Sequence, residues 1–113
     1  MISAVLDTNV LASGTVVALN PPGQILNSWR AGEFELVLSE HIIDELRRTL
    51  QKPYFQKHVA SSEIVSFIDL LQNEATIIPI TAKIHGVASH PDDDLILATA
   101  VSAKVDYLVT GDK

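Results

Sequence analysis

Four short apolar runs punctuate the chain, and the stretches between them repeat their apolar residues at helical spacing. Ile2 to Leu6, Phe34 to Leu38, Thr76 to Ile80 and Tyr107 to Thr110 are too short for buried helices, so they are predicted as strands. A first helix is expected to follow Thr8. Pro21-Pro22 marks a break before a second, which runs to about Ala31 and ends at Gly32. Ser39 is a suitable N-cap for a third helix reaching about Gln51, where Lys52-Pro53 closes it, because a residue before proline is pushed out of helical geometry. Ser61 or Ser62 would cap Glu63 to about Glu74, whose Ile64, Val65, Phe67, Ile68 and Leu71 recur at helical spacing. A last helix is predicted from about Pro91 to Ala103. Strands separated by helices imply a parallel sheet covered on both faces, a three-layer α/β/α domain.

A length of 113 residues with 47% apolar content supports one compact domain over 1–113 and leaves no room for a second. No run approaches the roughly 18 apolar residues of a membrane span, and Asp7 interrupts the first run before it could act as a leader. A cytoplasmic location is the expectation. Without cysteine, any metal would be held by oxygen or imidazole.

Four acids stand where an α/β sheet could gather them. Asp7 and Asp112 each follow an apolar run, and ligands of such sheets bind at the carboxyl ends of the strands. Both positions also suit plainer roles, Asp7 as an N-cap and Asp112 in a strand-to-turn exit. Glu45 flanks the stripe Ile42, Ile43, Leu46 and Leu50, whereas Asp44 is four residues before Arg48 and is expected to pair with it on the surface. Three aspartates, Asp92, Asp93 and Asp94, precede a helix that is apolar almost all round and so predicted to be buried. The helix dipole explains one or two of them. Asp94 shares a helical line with Ala98 and Val101, which is expected to face inward.

Two carboxylates about 4 Å apart repel by roughly 4 kcal/mol at an effective dielectric near 20, so a converging quartet needs a cation or bound protons. Mg²⁺ or Mn²⁺ satisfies oxygen ligands while keeping waters for chemistry. Phosphodiester hydrolysis is the reaction suited to such a site.

The segments Leu6-Asp7-Thr8-Asn9-Val10-Leu11, Ser39-Glu40-His41-Ile42-Ile43-Asp44-Glu45-Leu46, Asp92-Asp93-Asp94 and Tyr107-Leu108-Val109-Thr110-Gly111-Asp112-Lys113 together resemble the PIN-domain family. More closely, they resemble its VapC-like group, the toxin components of bacterial type II toxin-antitoxin systems. The resemblance spans nearly the whole chain. It implies an endoribonuclease dependent on Mg²⁺ or Mn²⁺, held in check by a cognate antitoxin and commonly a homodimer. By position, Asp7, Glu45, Asp94 and Asp112 match the family's acidic quartet, as metal ligands and catalytic groups, with Asn9 and Thr110 as supporting polar residues. Asp93 competes with Asp94, which is favoured because the family pattern places alanines four and six residues on, as at Ala98 and Ala100. Related chains continue past the Thr-Gly-Asp step, so this PIN-like domain is expected to be C-terminally shortened, with a less securely held Asp112 and an exposed edge that a partner could cover.

A net charge of −6 argues against binding to duplexes by charge alone. Arg47, Arg48, Lys52 and Lys57, with Tyr54 and Phe55 among them, could nevertheless hold a single strand of RNA by charge and stacking near the acidic site. The plainer reading is cations at a helix C-terminus. Two alternatives to the nuclease stand: a PIN-like module that binds RNA or an antitoxin without cutting, and a haloacid-dehalogenase-type phosphatase. The phosphatase needs a second aspartate two positions after the first, where this chain has Asn9.

Overall fold

The computed structural model describes residues 1–16, 21–81 and 91–110, without the side chains of 91–93. The elements in chain order are β1 (Ser3–Leu6), α1 (Thr8–Val16), α2 (Pro21–Arg30), β2 (Glu35–Leu38), α3 (Glu40–Leu50), α4 (Pro53–His58), α5 (Ser61–Glu74), β3 (Thr76–Ile77), α6 (Pro91–Ala103) and β4 (Tyr107–Val109). The strands form a fully parallel sheet in the order β3-β2-β1-β4. Ala4 stands beside Leu36 on one side and Tyr107 on the other, so β1 is central. Ala4, Val5 and Leu6 are all buried, as expected for a strand covered on both faces.

From β1 the chain advances through β2 to β3, then returns through α6 to place β4 on the other side of β1. Parallel crossovers are right-handed, so reversing direction moves α6 to the opposite face of the sheet from the helices between β1 and β2. The result is the three-layer α/β/α arrangement. The same reversal makes the space beyond the carboxyl ends of β1 and β4 the topological switch point, where ligands of such sheets bind.

Local chemistry explains most boundaries. Gly32 has φ +80°, the left-handed conformation that ends α2 at low steric cost. Ser39 caps α3, its hydroxyl accepting from the Ile42 amide. The four stripe residues Ile42, Ile43, Leu46 and Leu50 are wholly buried. The chain resumes a helical path directly after Lys52-Pro53 because proline suits the first helical turn, and this α4 was absent from the sequence reading. Helix α5 starts at Ser61 rather than Glu63, and its cap residue is Ala60, whose amide donates to Glu63 Oε1 at 3.3 Å.

Strand β3 is only two residues long where five were predicted. The Ile78 amide still reaches the Leu38 carbonyl at 2.9 Å, but β2 turns into α3 at Ser39 and Pro79 has no donor, so the ladder stops. Asp44 pairs with Arg47 at 2.9 Å, not with Arg48. Two apolar residues expected inside face water: Val65 on α5 is 60% exposed and Val101 on α6 is 50% exposed. Helix α6 is therefore buried around most of its circumference, through Asp94, Ile96, Ala98, Thr99 and Ala100, with Leu95 and Val101 the large apolar residues left exposed among those described.

Candidate functional site

Asp7 is the first residue beyond β1, and its amide still donates to the Val109 carbonyl of β4 at 3.0 Å. That bond fixes it at the switch point. Its Oδ1 accepts from the Val10 amide at 2.8 Å, so the carboxylate also caps α1. The plain role and the chemical one thus coexist in one residue. At 8% exposure Asp7 is a buried acid, an uncommon state for aspartate.

Glu45 comes to the same place from α3. The buried Thr8 hydroxyl, next in sequence to Asp7, donates a hydrogen bond to Glu45 Oε1. On its other oxygen Glu45 lies 3.9 Å from His41 Nε2, one turn earlier on the helix. Thr8 and His41 are site residues that the sequence reading passed over. The Thr8-Glu45 contact joins positions 37 residues apart, so only the packing of α1 against α3 discloses it.

Asp94 is brought in by α6. The start of β4 is tied to the amino end of β1, where Asp106 Oδ2 accepts from the Ser3 amide at 2.8 Å and the Asp106 amide donates to the Ser3 carbonyl at 3.0 Å. Helix α6 therefore runs back along the sheet with its first turn at the carboxyl edge. A buried hydroxyl pair holds it there. Thr99 Oγ1 lies 2.9 Å from Ser39 Oγ and 2.8 Å from the Leu95 carbonyl. A carbonyl only accepts, so Thr99 gives its one proton to Leu95, Ser39 gives its own to Thr99, and Ser39 Oγ remains an acceptor for the Ile42 amide. Asp94, five residues before Thr99, is 8% exposed and lies about 7.5 Å further along the axis, at the sheet's carboxyl edge. Ala98, one turn on, is 1% exposed and allows close packing, although Val101 on the same line does not share that burial.

The other expected residues fare differently. Asn9 is exposed in the first turn of α1, and Thr110 is exposed just after β4. Asp112 and the side chain of Asp93 lie outside the described residues. On α3, about 100° per residue puts Arg48 roughly 60° from Glu45 around the axis and Arg47 roughly 160° away. Arg48 continues the side that bears Glu45, Arg47 turns toward Asp44, and Lys52 lies beyond the end of α3 as the residue before α4. Phe55, read as a partner for bases, packs against the core.

Among the described residues no three His, Asp or Glu side chains gather closely enough to enclose an ion. Asp7, Glu45 and the Thr8 that joins them in sequence and contact nevertheless offer oxygens, from carboxylates and a hydroxyl. They suit a hard divalent cation, and Mg²⁺ commonly takes one or two carboxylates and completes its shell with water.

A PIN domain family model matches residues 3–113. Among solved structures, a chain in the crystal structure of VapBC2 from Rickettsia felis, bound to a DNA fragment from their promoter, superposes with a TM-score of 0.59. That match has 15% identity and covers 98% of this chain and 100% of the other, so it is a likeness of fold. No curated protein matches the sequence. With the family model spanning nearly its whole length, and the parallel α/β/α sheet carrying an acid directly after β1, this chain belongs to the PIN-domain family.

Proposed function

We propose that this chain is a Mg²⁺- or Mn²⁺-dependent endoribonuclease, the toxin of a toxin-antitoxin pair, hydrolysing RNA phosphodiesters at Asp7, Glu45, Asp94 and Asp112. The observation that carries this reading is that two carboxylates are each buried, Asp7 directly after β1 and Asp94 in α6. Family membership supports nuclease chemistry. It also removes the phosphatase alternative, whose second aspartate position holds Asn9.

Asp7 and Asp94 would be the principal metal ligands, with Glu45 and Asp112 completing the acidic set. A bound divalent ion lowers the pKa of water to make a nucleophile and stabilises charge on the attacked phosphate. The protein's own part is to hold carboxylates still and keep them dry. Asp7 is fixed by the α1 cap, Glu45 by Thr8, and Asp94 by the hydroxyl chain that seats α6. The Val109-Asp7 bond keeps the strand ends together at the site. Asn9 and Thr110, both exposed beside it, would supply polar contacts to substrate.

The solved neighbour is VapBC2 bound to a DNA fragment from their promoter, and with the resemblance to VapC-like toxins it supports a cognate antitoxin as partner here. A homodimer and a cytoplasmic setting are part of the same proposal.

One observation favours a second reading, a module that binds RNA or an antitoxin without cutting: no three ligating side chains close into a cage among the described residues. Incubating a mixed RNA pool with this protein and Mg²⁺ or Mn²⁺, beside Asp7→Asn, separates the two. Metal-dependent cleavage that is lost in the variant supports the nuclease. Binding without cleavage in either protein supports the module.

A further inference from the structure

The short helix α4 leaves an aromatic pair exposed. Tyr54 is 56% exposed, and its ring stacks on His58 with centroids 4.5 Å apart and an interplanar angle of 29°. His58 Nδ1 lies 2.8 Å from the Tyr54 carbonyl, within hydrogen-bond reach, which fixes the imidazole over the phenol. The support beneath is firm. Phe55 packs into the core with an edge-on contact to Tyr54, Val59 is buried, and Gln56 Nε2 donates to the Leu50 carbonyl at 2.9 Å, closing the end of α3. A pair that only steadied a six-residue helix would not need such exposure.

Positive charge surrounds this pair in a chain whose net charge is negative. Arg48, Lys52 and Lys57 are exposed, and none forms an ion pair among the described residues, unlike Arg47. Arg48 lies on the side of α3 that bears Glu45, and Lys52 follows past the end of that helix, immediately before α4. Gln51 is about 9 Å further along that helix than Glu45, and α4 begins just beyond.

We propose that α4 is a stacking platform for single-stranded RNA, with Tyr54 and His58 receiving a base and Lys52, Lys57 and Arg48 following the backbone toward the acidic site. Base-on-aromatic stacking tolerates any sequence because every base has a π face, and it requires unpaired bases. The platform would thus select single strands and hold them at a point separate from the carboxylates. This deepens the ribonuclease reading by naming the form of the substrate, and RNA as ligand rests on that reading.

The test measures binding of fluorescein-labelled oligouridylate, oligoadenylate and an RNA duplex by anisotropy in EDTA, where metal-dependent cleavage is silent. Proteins compared are wild type, Tyr54→Ala, Tyr54→Phe and Lys52→Ala with Lys57→Ala, each checked for an unchanged melting temperature. Expected are a preference for both single strands over the duplex and a loss of about tenfold or more for Tyr54→Ala. Tyr54→Phe should stay within about twofold because it keeps the ring face, and the lysine variant should show a shallower salt dependence. Equal binding by wild type and Tyr54→Ala, equal affinity for the duplex, or no binding of any single strand would overturn the platform. A protein that binds in a Tyr54-dependent way but never cleaves with metal would sink the nuclease reading and leave the platform standing.

Discussion

Asp7 performs two tasks whose energies can be separated by substitution. Its Oδ1 caps α1, and asparagine caps as well as aspartate does, so Asp7→Asn should preserve stability while abolishing metal-dependent cleavage. Asp7→Ala should also lose the cap, lowering stability by about 1 kcal/mol in denaturant titration. Equal, large losses of stability in both variants would make Asp7 a structural group only. Thr8 offers a test of positioning. Thr8→Val keeps the shape of a buried side chain but removes the donor to Glu45, so cleavage should fall by about tenfold or more, since a hydrogen bond to a charged group contributes about 1.5 to 3 kcal/mol. Thr8→Ser should restore it. A rate unchanged in Thr8→Val would show that Glu45 needs no such support.

The elements meet where β2 ends. Ser39 terminates the strand, caps α3 and gives its proton to Thr99 on α6, so one hydroxyl links two helices that lie 60 residues apart at this contact. Ser39→Ala removes the cap and leaves the Thr99 oxygen without its donor, and it should cost about 1 to 2 kcal/mol. Thr99→Val should cost less, because Ser39 Oγ keeps the Ile42 amide. Urea midpoints compared at constant m value check the order. The helix pattern was legible here at sequence level: the serine, the stripe Ile42, Ile43, Leu46 and Leu50, and the proline stop each act within a few residues. Helix α4 was not, since the proline that ends α3 also begins its successor.

At the scale of the whole molecule, the buried acids set up a linkage between metal and folding. A ligand that binds only the folded state stabilises it by about 2.7 kcal/mol at a hundred times its dissociation constant. Mn²⁺ or Mg²⁺ should therefore raise the melting temperature of wild type, and Asp94→Asn should abolish most of that rise without itself lowering the metal-free value. A melting temperature indifferent to both ions would favour the binding module over the nuclease. The core carries the rest of the stability. Leu46 is wholly buried between the sheet and its neighbouring helices, and Leu46→Ala should cost about 2 to 5 kcal/mol.

The alternation of apolar runs and helical stripes determined the class of fold, because periods of two and 3.6 residues are properties of the local backbone and persist wherever the segment packs. It also picked out Asp7, since an acid directly after a buried strand has one exit, the carboxyl edge. Tertiary structure decided what no local period contains. The length of β3 depended on where its partner β2 turned away, and the exposure of Val65 and Val101 on how much of each helix the sheet could cover. Arg47 was taken by Asp44 and Phe55 by the core, leaving Tyr54 beside His58 as the exposed aromatic pair of that basic segment. Thr8 met Glu45 only because α1 and α3 lie side by side. Contacts between distant residues depend on the arrangement of whole elements, and a single chain's pattern fixes the elements before it fixes their neighbours.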